Sequence, residues 1–314
     1  MKRILEKSLL CTLYIVTLSL LLAGCKNENA PADKTAKPRQ LTIKMSDGAA
    51  GTSIRRIKDV TITDEGSTLL AEWTAGDAVS CCNLSTLTAM DDEIITGTLT
   101  ATTTGRRSDL TGTVECMDGD YLAIVYPAVS MAESYEMGDN VHGKFTISLA
   151  SQDGTLERLA STYHYNYGRA HIISATETIA EATMDPMQSL LTVCKFSFVE
   201  KDHESDGALP IETLTISYGG DGGDKDTYPQ SATVEVTNLT VNSAATAVGV
   251  ASGSPLTINA GGATEVYVAL LPEIASRTYN FTVTNSNGTY TGTASAWLKK
   301  GEYVPATGLK LIKQ

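Results

Sequence analysis

Residues 279–297, YNFTVTNSNGTYTGTASAW, decide the fold class of this chain. Phe281 and Val283 alternate with polar residues, which is typical of a strand with one buried face. A second run, of threonines and small residues, follows, and Asn287-Gly288 stands between the two runs. An Asn-Gly pair in that position is the strongest short-range signal for a β-hairpin. The stretch therefore predicts two antiparallel strands, residues 279–284 and 289–297, around a tight turn.

The same period-two alternation recurs at residues 41–45, 145–149 and 214–218. Residues 266–271 (VYVALL) are apolar on both faces and stop at Pro272, so we expect a central strand there. Helical periodicity is almost absent. Its best candidate, residues 175–191, is interrupted by Pro186, so we expect a short helix or a loop there. Many short strands with frequent turns predict an all-β protein built from paired sheets.

Length and the two strand-rich halves set the expected domain organisation. A chain of 314 residues usually divides into two domains. We place the boundary near residue 186, which gives one β-sandwich domain over residues 41–185 and a second over residues 186–314. Residues 25–40 offer nothing to bury and are predicted to be a tether.

Composition narrows the function classes. The chain has 24 basic and 36 acidic residues, a net charge of -12 and an apolar share of 42%. This apolar share excludes a disordered polymer, and a mean hydropathy of -0.05 excludes a polytopic membrane protein. The acidic balance argues against nucleic acid as a partner, because phosphates would be repelled.

Residues 1–24 are predicted to be a secretory signal. Three basic residues precede an apolar run at residues 9–22, which is too short for a membrane span of about 20 residues. Residues 22–25 (LAGC) resemble the lipobox of bacterial lipoproteins. The resemblance implies that the signal is cut before Cys25 and that this cysteine carries diacylglycerol and further acyl chains such as palmitate. We therefore expect an outer-membrane lipoprotein, at the cell surface or in a fimbrium, with a net charge of -14 over 290 residues.

Four cysteines remain in the mature chain, Cys81, Cys82, Cys116 and Cys194. An oxidising compartment permits disulfides between them. The adjacent Cys81 and Cys82 would point to opposite faces of a strand, so both can hardly serve one site. No Cys-x-x-Cys or paired His accompanies them, so we expect buried free thiols, or at most one disulfide, and no metal.

No recognisable catalytic motif occurs in the sequence. The Gly-x-Ser-x-Gly elbow, the His-Glu-x-x-His zinc helix, the phosphate loop and the Gly-x-Gly-x-x-Gly fingerprint are all absent. We therefore expect neither an enzyme nor a cofactor.

Two stretches remain candidates for ligand binding. Residues 163–171 (YHYNYGRAH) contain Tyr163, His164, Tyr165, Tyr167 and His171, whose rings could stack on a sugar or hold a metal. If the segment is a strand, its three tyrosines share one face and cover the sandwich by apolar contact. Residues 219–226 (GGDGGDKD) could ligate calcium through their carboxylates, but they lack the spacing of an EF-hand loop. For both stretches, a purely structural role is the alternative to ligand binding.

Residues 73–79 (WTAGDAV) resemble the Trp-x-x-Gly-Asp-x-Val element of Bacteroidota fimbrillin-like proteins. In physical terms the element is an inward Trp, a Gly-Asp turn and a strand beginning at Ala78. Further stretches similar to that family follow in order, at residues 121–127, 190–198, 267–272 and 288–303. The likeness covers most of residues 41–314. It implies a type V pilin lipoprotein for cell adhesion, with two tandem transthyretin-like Greek-key β-sandwich domains.

The resemblance also implies a maturation step. In that family a trypsin-like protease cuts after Arg and removes the first strand with its lipid, and the groove accepts a strand from another pilin subunit. Here Leu41, Ile43 and Met45 would fill the groove, and Arg55 and Arg56 are the candidate cleavage sites. Alternative cleavage sites are Arg39 and the pair at residues 106–107. The other interpretation is that Arg55 and Arg56 are solvated side chains in a surface loop and are not cleaved.

The C-terminal end leaves the position of the subunit open. Seventeen residues follow Trp297, and residues 303–312 are candidates for completing the second sandwich. If they do so, a tip, an accessory subunit or an uncleaved anchor fits better than a stalk subunit.

Two alternatives of other classes stand beside the pilin hypothesis. A glycan-binding surface lipoprotein of a polysaccharide-uptake system would need exposed aromatic rows, yet Trp73 and Trp297 are both expected in the core. A secreted hydrolase would need a nucleophile–base pair, for which nothing in the sequence argues.

Overall fold

The computed structural model describes residues 37–45, 63–64, 69–86, 94–134, 142–236, 248–250 and 254–314. The described chain is built almost entirely from strands, with one short helix, α1 (Leu156–Arg158), continued by a π-helical turn at Leu159–Tyr163. The strands of the first half are β1 (Lys37–Met45), β2 (Thr63–Asp64), β3 (Leu69–Leu70), β4 (Ala78–Asn83), β5 (Thr96–Ala101), β6 (Leu110–Cys116), β7 (Tyr121–Tyr126), β8 (Ala132–Ser134), β9 (His142–Ser148), β10 (Asn166–Ala175), β11 (Ile179–Met184) and β12 (Gln188–Ser189). Those of the second half are β13 (Thr192–Glu200), β14 (Ile211–Tyr218), β15 (Ser231–Glu235), β16 (Val248–Val250), β17 (Leu256–Ala263), β18 (Val266–Leu270), β19 (Arg277–Asn285), β20 (Gly288–Ala296) and β21 (Tyr303–Lys313). The prediction of an all-β protein is confirmed, and the strands form two large sandwich-like or barrel-like sheets.

The first sheet closes on itself. Its strands follow the order β11-β1-β6-β5-β4-β7-β10, and β10 pairs back onto β11, while β12 adds to β10. Closure removes the free edges that an open sheet would present. The interior is one apolar cluster that includes Leu41, Trp73, Leu99, Leu122 and Met184.

The second large sheet follows the order β17-β14-β19-β20-β21-β13-β18. Strand β21 runs parallel to β13 from Tyr303 to Leu311 and then pairs antiparallel with β20 at Ile312 and Lys313. It therefore passes from one layer of a sandwich to the other. Phe196, Phe198 and Phe281 meet between the layers, with ring centroids 5.3–6.1 Å apart.

A smaller sheet, β16-β15-β9-β8, joins strands from both halves of the chain. The second apolar cluster also crosses residue 186, because it includes Cys82, Ala123 and Val125 of the first half together with the core of the second. Cys82 and its neighbours lie on the outer face of the closed sheet, so the two halves pack against each other. The domain boundary at residues 185/186 stays a prediction.

Local sequence signals position two elements as expected. Trp73 is fully buried, Gly76 has a φ of 94°, and strand β4 begins at Ala78. The backbone N–H of Thr74 donates to the Asp77 carboxylate at 2.7 Å, which closes the predicted Gly-Asp turn. β19 and β20 form the predicted hairpin, with Asn285 opposite Gly288.

Two other expectations were wrong. Residues 175–191 form no helix: they contain β11 and β12, because tertiary pairing with β1 and β10 provides the backbone partners. Strand β18 is not central either, since among the named strands it pairs only with β13. Its other edge is covered by Gln152, whose amide accepts from Ala269 N at 2.8 Å and donates to Ala269 O at 3.0 Å.

Candidate functional site

The N-terminal strand β1 closes the barrel. It pairs antiparallel with β6 from Lys37 to Ile43 and parallel with β11 from Gln40 to Met45. Because β1 uses both of its edges, its removal would leave a groove between β6 and β11 with unpaired backbone groups on either side.

The inward face of β1 fits this groove closely. Leu41 and Ile43 have no exposed surface, and both belong to the apolar cluster inside the barrel. Leu41 stands opposite Gly112 of β6 and Ala180 of β11, two small residues that leave room for its side chain. Of the three side chains predicted to fill the groove, Leu41 and Ile43 point into the barrel, while the side chain of Met45 lies outside the described residues. That β1 is a removable strand stays a prediction.

Gly112 is required by this packing. A Cβ atom added there would lie 2.3 Å from the Thr98 carbonyl oxygen and 2.8 Å from Leu99 Cδ2. No larger residue therefore fits where β5 and β6 approach each other behind β1.

The inward face of β1 also carries a buried basic side chain, Arg39. Arg39 is 1% exposed, and its Nε donates to the Thr176 carbonyl at 2.6 Å in the turn between β10 and β11. Its Nη1 also donates to the Lys37 carbonyl at 3.4 Å. Burial raises the pKa of the neighbouring Cys116 thiol to about 11, and the positive charge of Arg39 partly opposes this shift.

Acidic residues lie beside β1 near both of its ends. Lys37 lies 3.8 Å from Glu177, and Lys44 lies 3.8 Å from Glu181. Both pairs are open to solvent on at least one side, so they set the charge of the rim more than they stabilise the strand.

Only some of the predicted lipidation and cleavage positions lie within the described residues. Cys25, Arg55 and Arg56 lie outside the described residues. Arg39, an alternative cleavage site, is buried within β1, where a protease could not reach its backbone without local unfolding. The pair at residues 106–107 is exposed in the loop between β5 and β6.

The predicted ligand-binding stretch is mostly internal. Tyr163, His164, Tyr165 and Tyr167 are all less than 8% exposed. Tyr163 donates to the Ala150 carbonyl at 2.6 Å, and the Tyr167 hydroxyl accepts from Lys300 Nζ at 2.8 Å. These tyrosines join the two halves of the chain, since all three belong to the shared apolar cluster.

His164 is buried without a hydrogen-bond partner for either ring nitrogen. Burial lowers the pKa of its imidazole to about 4, so the ring is neutral at ordinary pH. Neither a metal nor a surface ligand can reach it in this conformation.

His171, the fifth predicted residue, lies at the surface in a group that sequence reasoning missed. Its ring stacks on Tyr121 with the centroids 4.6 Å apart, and the Arg169 guanidinium lies 4.4 Å from the same Tyr121 ring. These residues and Asp185 line a shallow cavity of about 170 Å³. The antiparallel register of β7 and β10, which places His171 opposite Tyr121, assembles the group.

Trp297 is exposed, which corrects the expectation that it lies in the core. It is 53% exposed, while its Nε1 donates to the Glu273 carbonyl at 2.9 Å. Lys299 Nζ lies 5.0 Å from the ring centroid, and the neighbouring Ile274 is 90% exposed. The hydrogen bond holds the indole in one orientation at the surface.

The glycine- and aspartate-rich loop at residues 219–226 is held by protein partners. Asp224 forms an ion pair with Arg277, whose guanidinium lies 3.9 Å from the Tyr218 ring centroid. Asp226 accepts from Asn280 Nδ2 at 3.2 Å. Within the described ranges no group of three or more His, Cys, Asp or Glu is arranged to hold a metal ion.

The four cysteines are free and buried. Cys81 faces the interior of the barrel and Cys82 its outer side, as expected for neighbours on a strand. Burial raises the pKa of both thiols to about 12, which keeps them protonated and unreactive.

A membrane-crossing helix is not found in the part of the chain that the structure describes.

Comparison with known proteins gives distant structural neighbours only. No family model and no curated protein matches the chain. A proposed cell adhesion protein from Bacteroides fragilis is 13% identical, with a TM-score of 0.38, covering 85% of this chain and 92% of that one. A proposed cell adhesion protein from Bacteroides eggerthii is 11% identical, with a TM-score of 0.34 and 88% of each chain covered. The shaft pilin SpaA of Lactobacillus rhamnosus GG is 11% identical, with a TM-score of 0.32, covering 89% of this chain and 98% of that one.

At these TM-scores the likeness is distant and assigns no residue role. By their names these neighbours are a pilin and two proposed cell adhesion proteins.

Proposed function

We propose that this chain is a non-catalytic, pilin-like structural subunit for cell adhesion, in which a strand from another subunit replaces β1. The observation that supports the proposal most directly is the position of β1. It is the first described strand, it is paired along both edges, and it contributes two fully buried side chains to the barrel. A strand from another chain could reproduce all of these interactions by β-augmentation.

Cleavage between β1 and the next described element fits this scheme. Arg55 and Arg56 lie between Met45 and Thr63, so a cut there would separate β1 from the rest of the barrel while leaving every other described strand continuous. A cut at residues 106–107 would instead separate β5 from β6, which are paired inside the barrel.

The pairing of β21 within its own sheet supports the proposal that this subunit receives a strand and does not donate one. β21 pairs with β13 and β20, and Leu311 is 1% exposed. Gln314 N also donates to the Thr289 carbonyl at 2.9 Å. Since this strand is already used within its own sheet, we propose a tip or accessory subunit that receives a strand, rather than a stalk subunit that also donates β21.

The lipid on Cys25 would hold the uncut protein at the outer membrane, and cutting at Arg55 or Arg56 would release it. Several acyl chains together provide firm anchoring, at about 0.8 kcal/mol per buried methylene. Replacement of Cys25 by Ser should move the protein from the membrane fraction to the soluble fraction.

Limited digestion with an Arg-specific protease tests the proposal. We expect a cut at Arg55 or Arg56, after which a fluorescent peptide of residues 37–45 exchanges into the protein while the uncut protein excludes it. The Arg55→Gln/Arg56→Gln variant should lose both effects, whereas Arg106→Gln/Arg107→Gln should keep them. Digestion without any peptide uptake would contradict strand exchange.

A second candidate function, glycan binding at the surface, is favoured by the exposure of Trp297 and by the Tyr121–His171–Arg169 group. A rigid exposed indole and a stacked tyrosine are platforms on which a sugar ring can lie. Calorimetric titration with soluble bacterial and host glycans tests this candidate, with Trp297→Ala and Tyr121→Ala compared with the exposed control Ile274→Ser. Binding that all variants retain would argue against both platforms.

A further inference from the structure

Strand β1 is a basic strand in an acidic protein. Residues 37–45 contain Lys37, Arg39 and Lys44 and no acidic residue, while the whole chain has a net charge of -12. Glu177 lies beside Lys37, and Glu181 lies beside Lys44. Removing β1 would therefore leave a groove whose rim is acidic.

Arg39 differs from the two lysines because it is inside. Residues 37, 39, 41 and 43 share the inward face of the strand, and Arg39 is as buried as its apolar neighbours Leu41 and Ile43. A buried guanidinium is tolerated only where it is hydrogen-bonded. One of its acceptors, the Lys37 carbonyl, lies within β1 itself. Another, the Thr176 carbonyl, belongs to the wall of the groove and stays behind when β1 leaves.

The turn between β10 and β11, residues 176–178, therefore offers two carbonyl acceptors and one carboxylate to the strand that lies beside it. We call this turn the arginine socket. Thr176 O accepts from Arg39 Nε, Thr178 O accepts from the Gln40 backbone at 2.9 Å, and Glu177 lies beside Lys37. An incoming strand with an apolar residue at the Arg39 position would pair its backbone with the groove but leave the Thr176 carbonyl without this donor.

We propose that the groove selects an incoming strand with an arginine at the Arg39 position, followed at alternate positions by two branched apolar residues at those of Leu41 and Ile43. The proposal deepens the strand-exchange function and rests on it, since it names the chemistry of the partner strand.

The occupant is a segment of another polypeptide rather than β21 of a second copy. Aligning Leu309 and Leu311 with Leu41 and Ile43 places Thr307 at the arginine position. Threonine is too short and uncharged to replace the guanidinium. β21 is also already paired within its own sheet.

Peptide exchange into the full mature chain tests the inference. An engineered viral-protease site within residues 46–62 allows β1 to be separated from the chain without cutting elsewhere. Three fluorescent peptides are then compared by anisotropy: residues 37–45, the same peptide with Arg39→Met, and the same peptide with Lys44→Gln. The two altered peptides have equal net charge, so any difference between them reports position and not overall attraction.

We expect the Lys44→Gln peptide to bind within about twofold of the native one, because that lysine is exposed and its ion pair is weak. The Arg39→Met peptide should bind about 10- to 100-fold more weakly, since a buried charge-assisted hydrogen bond is lost. Equal binding of the two altered peptides would overturn the arginine socket while leaving strand exchange intact. Failure of all three peptides to exchange, the native one included, would overturn strand exchange and the selection with it.

Discussion

Truncation of Leu41 should destabilise the barrel strongly. The side chain is fully buried between Gly112 and Ala180, neither of which can move a side chain into the space left by Leu41→Ala. Large-to-small substitutions of buried leucine cost about 2–5 kcal/mol, depending on how far the surroundings collapse. Because these neighbours are small and the barrel is closed, we expect a loss of about 3–4 kcal/mol in the free energy of unfolding.

The two tryptophans provide separate probes for this experiment. Trp73 is buried in the same cluster as Leu41, whereas Trp297 is exposed in the second half. In a Trp297→Phe background, urea unfolding followed by Trp73 fluorescence reports the barrel. Thr42→Ala, on the outward face of β1, is the matched control and should change stability by less than about 1 kcal/mol. A Leu41→Ala loss below that of the control would refute the view that β1 is wedged into the barrel by this side chain.

Three further predictions concern other parts of the molecule. The pKa of His164 is lowered to about 4 in the folded state, so the stability that comes from burying the neutral ring is complete above pH 6.5 and is lost as the pH falls towards 4. The free energy of unfolding, measured by urea titration between pH 7 and 4, should therefore fall by up to roughly 3 kcal/mol more in the wild type than in His164→Gln. Gln152→Ala should uncover the edge of β18 and promote self-association, measured by analytical ultracentrifugation against the exposed control Gln314→Ala; a strictly monomeric variant would contradict the covering role. The four thiols should react with a disulfide reagent only at the rate of unfolding, and rapid labelling of the native protein would show that burial does not protect them.

Sequence reasoning predicted the elements whose signals are local. Alternation at Phe281 and Val283, the Asn-Gly pair and the Trp73 turn each specify a strand or a turn within a few residues. These signals identified the fold class, the hairpin and the inward face of β1 at Leu41 and Ile43.

The features that were missed depend on contacts far along the chain. Closure of the barrel needs β10 and β11 to return beside β1, and the cover over β18 comes from Gln152, distant in sequence. The buried Arg39 could not be foreseen, because its acceptor at Thr176 lies in a turn more than a hundred residues away. Trp297 is different, since period-two alternation places it on the same outward face as Thr293 and Ser295, and that signal was available.

The pairing of β1 on both edges also has a mechanical consequence. Ladder hydrogen bonds lie roughly across the strand axis, so a pull along that axis loads the bonds to β6 and β11 together. A pull at right angles to it would instead break them one after another from an end. A joint formed by strand exchange in this groove would therefore be stiff and strong under tension along the strand and would yield readily to peeling.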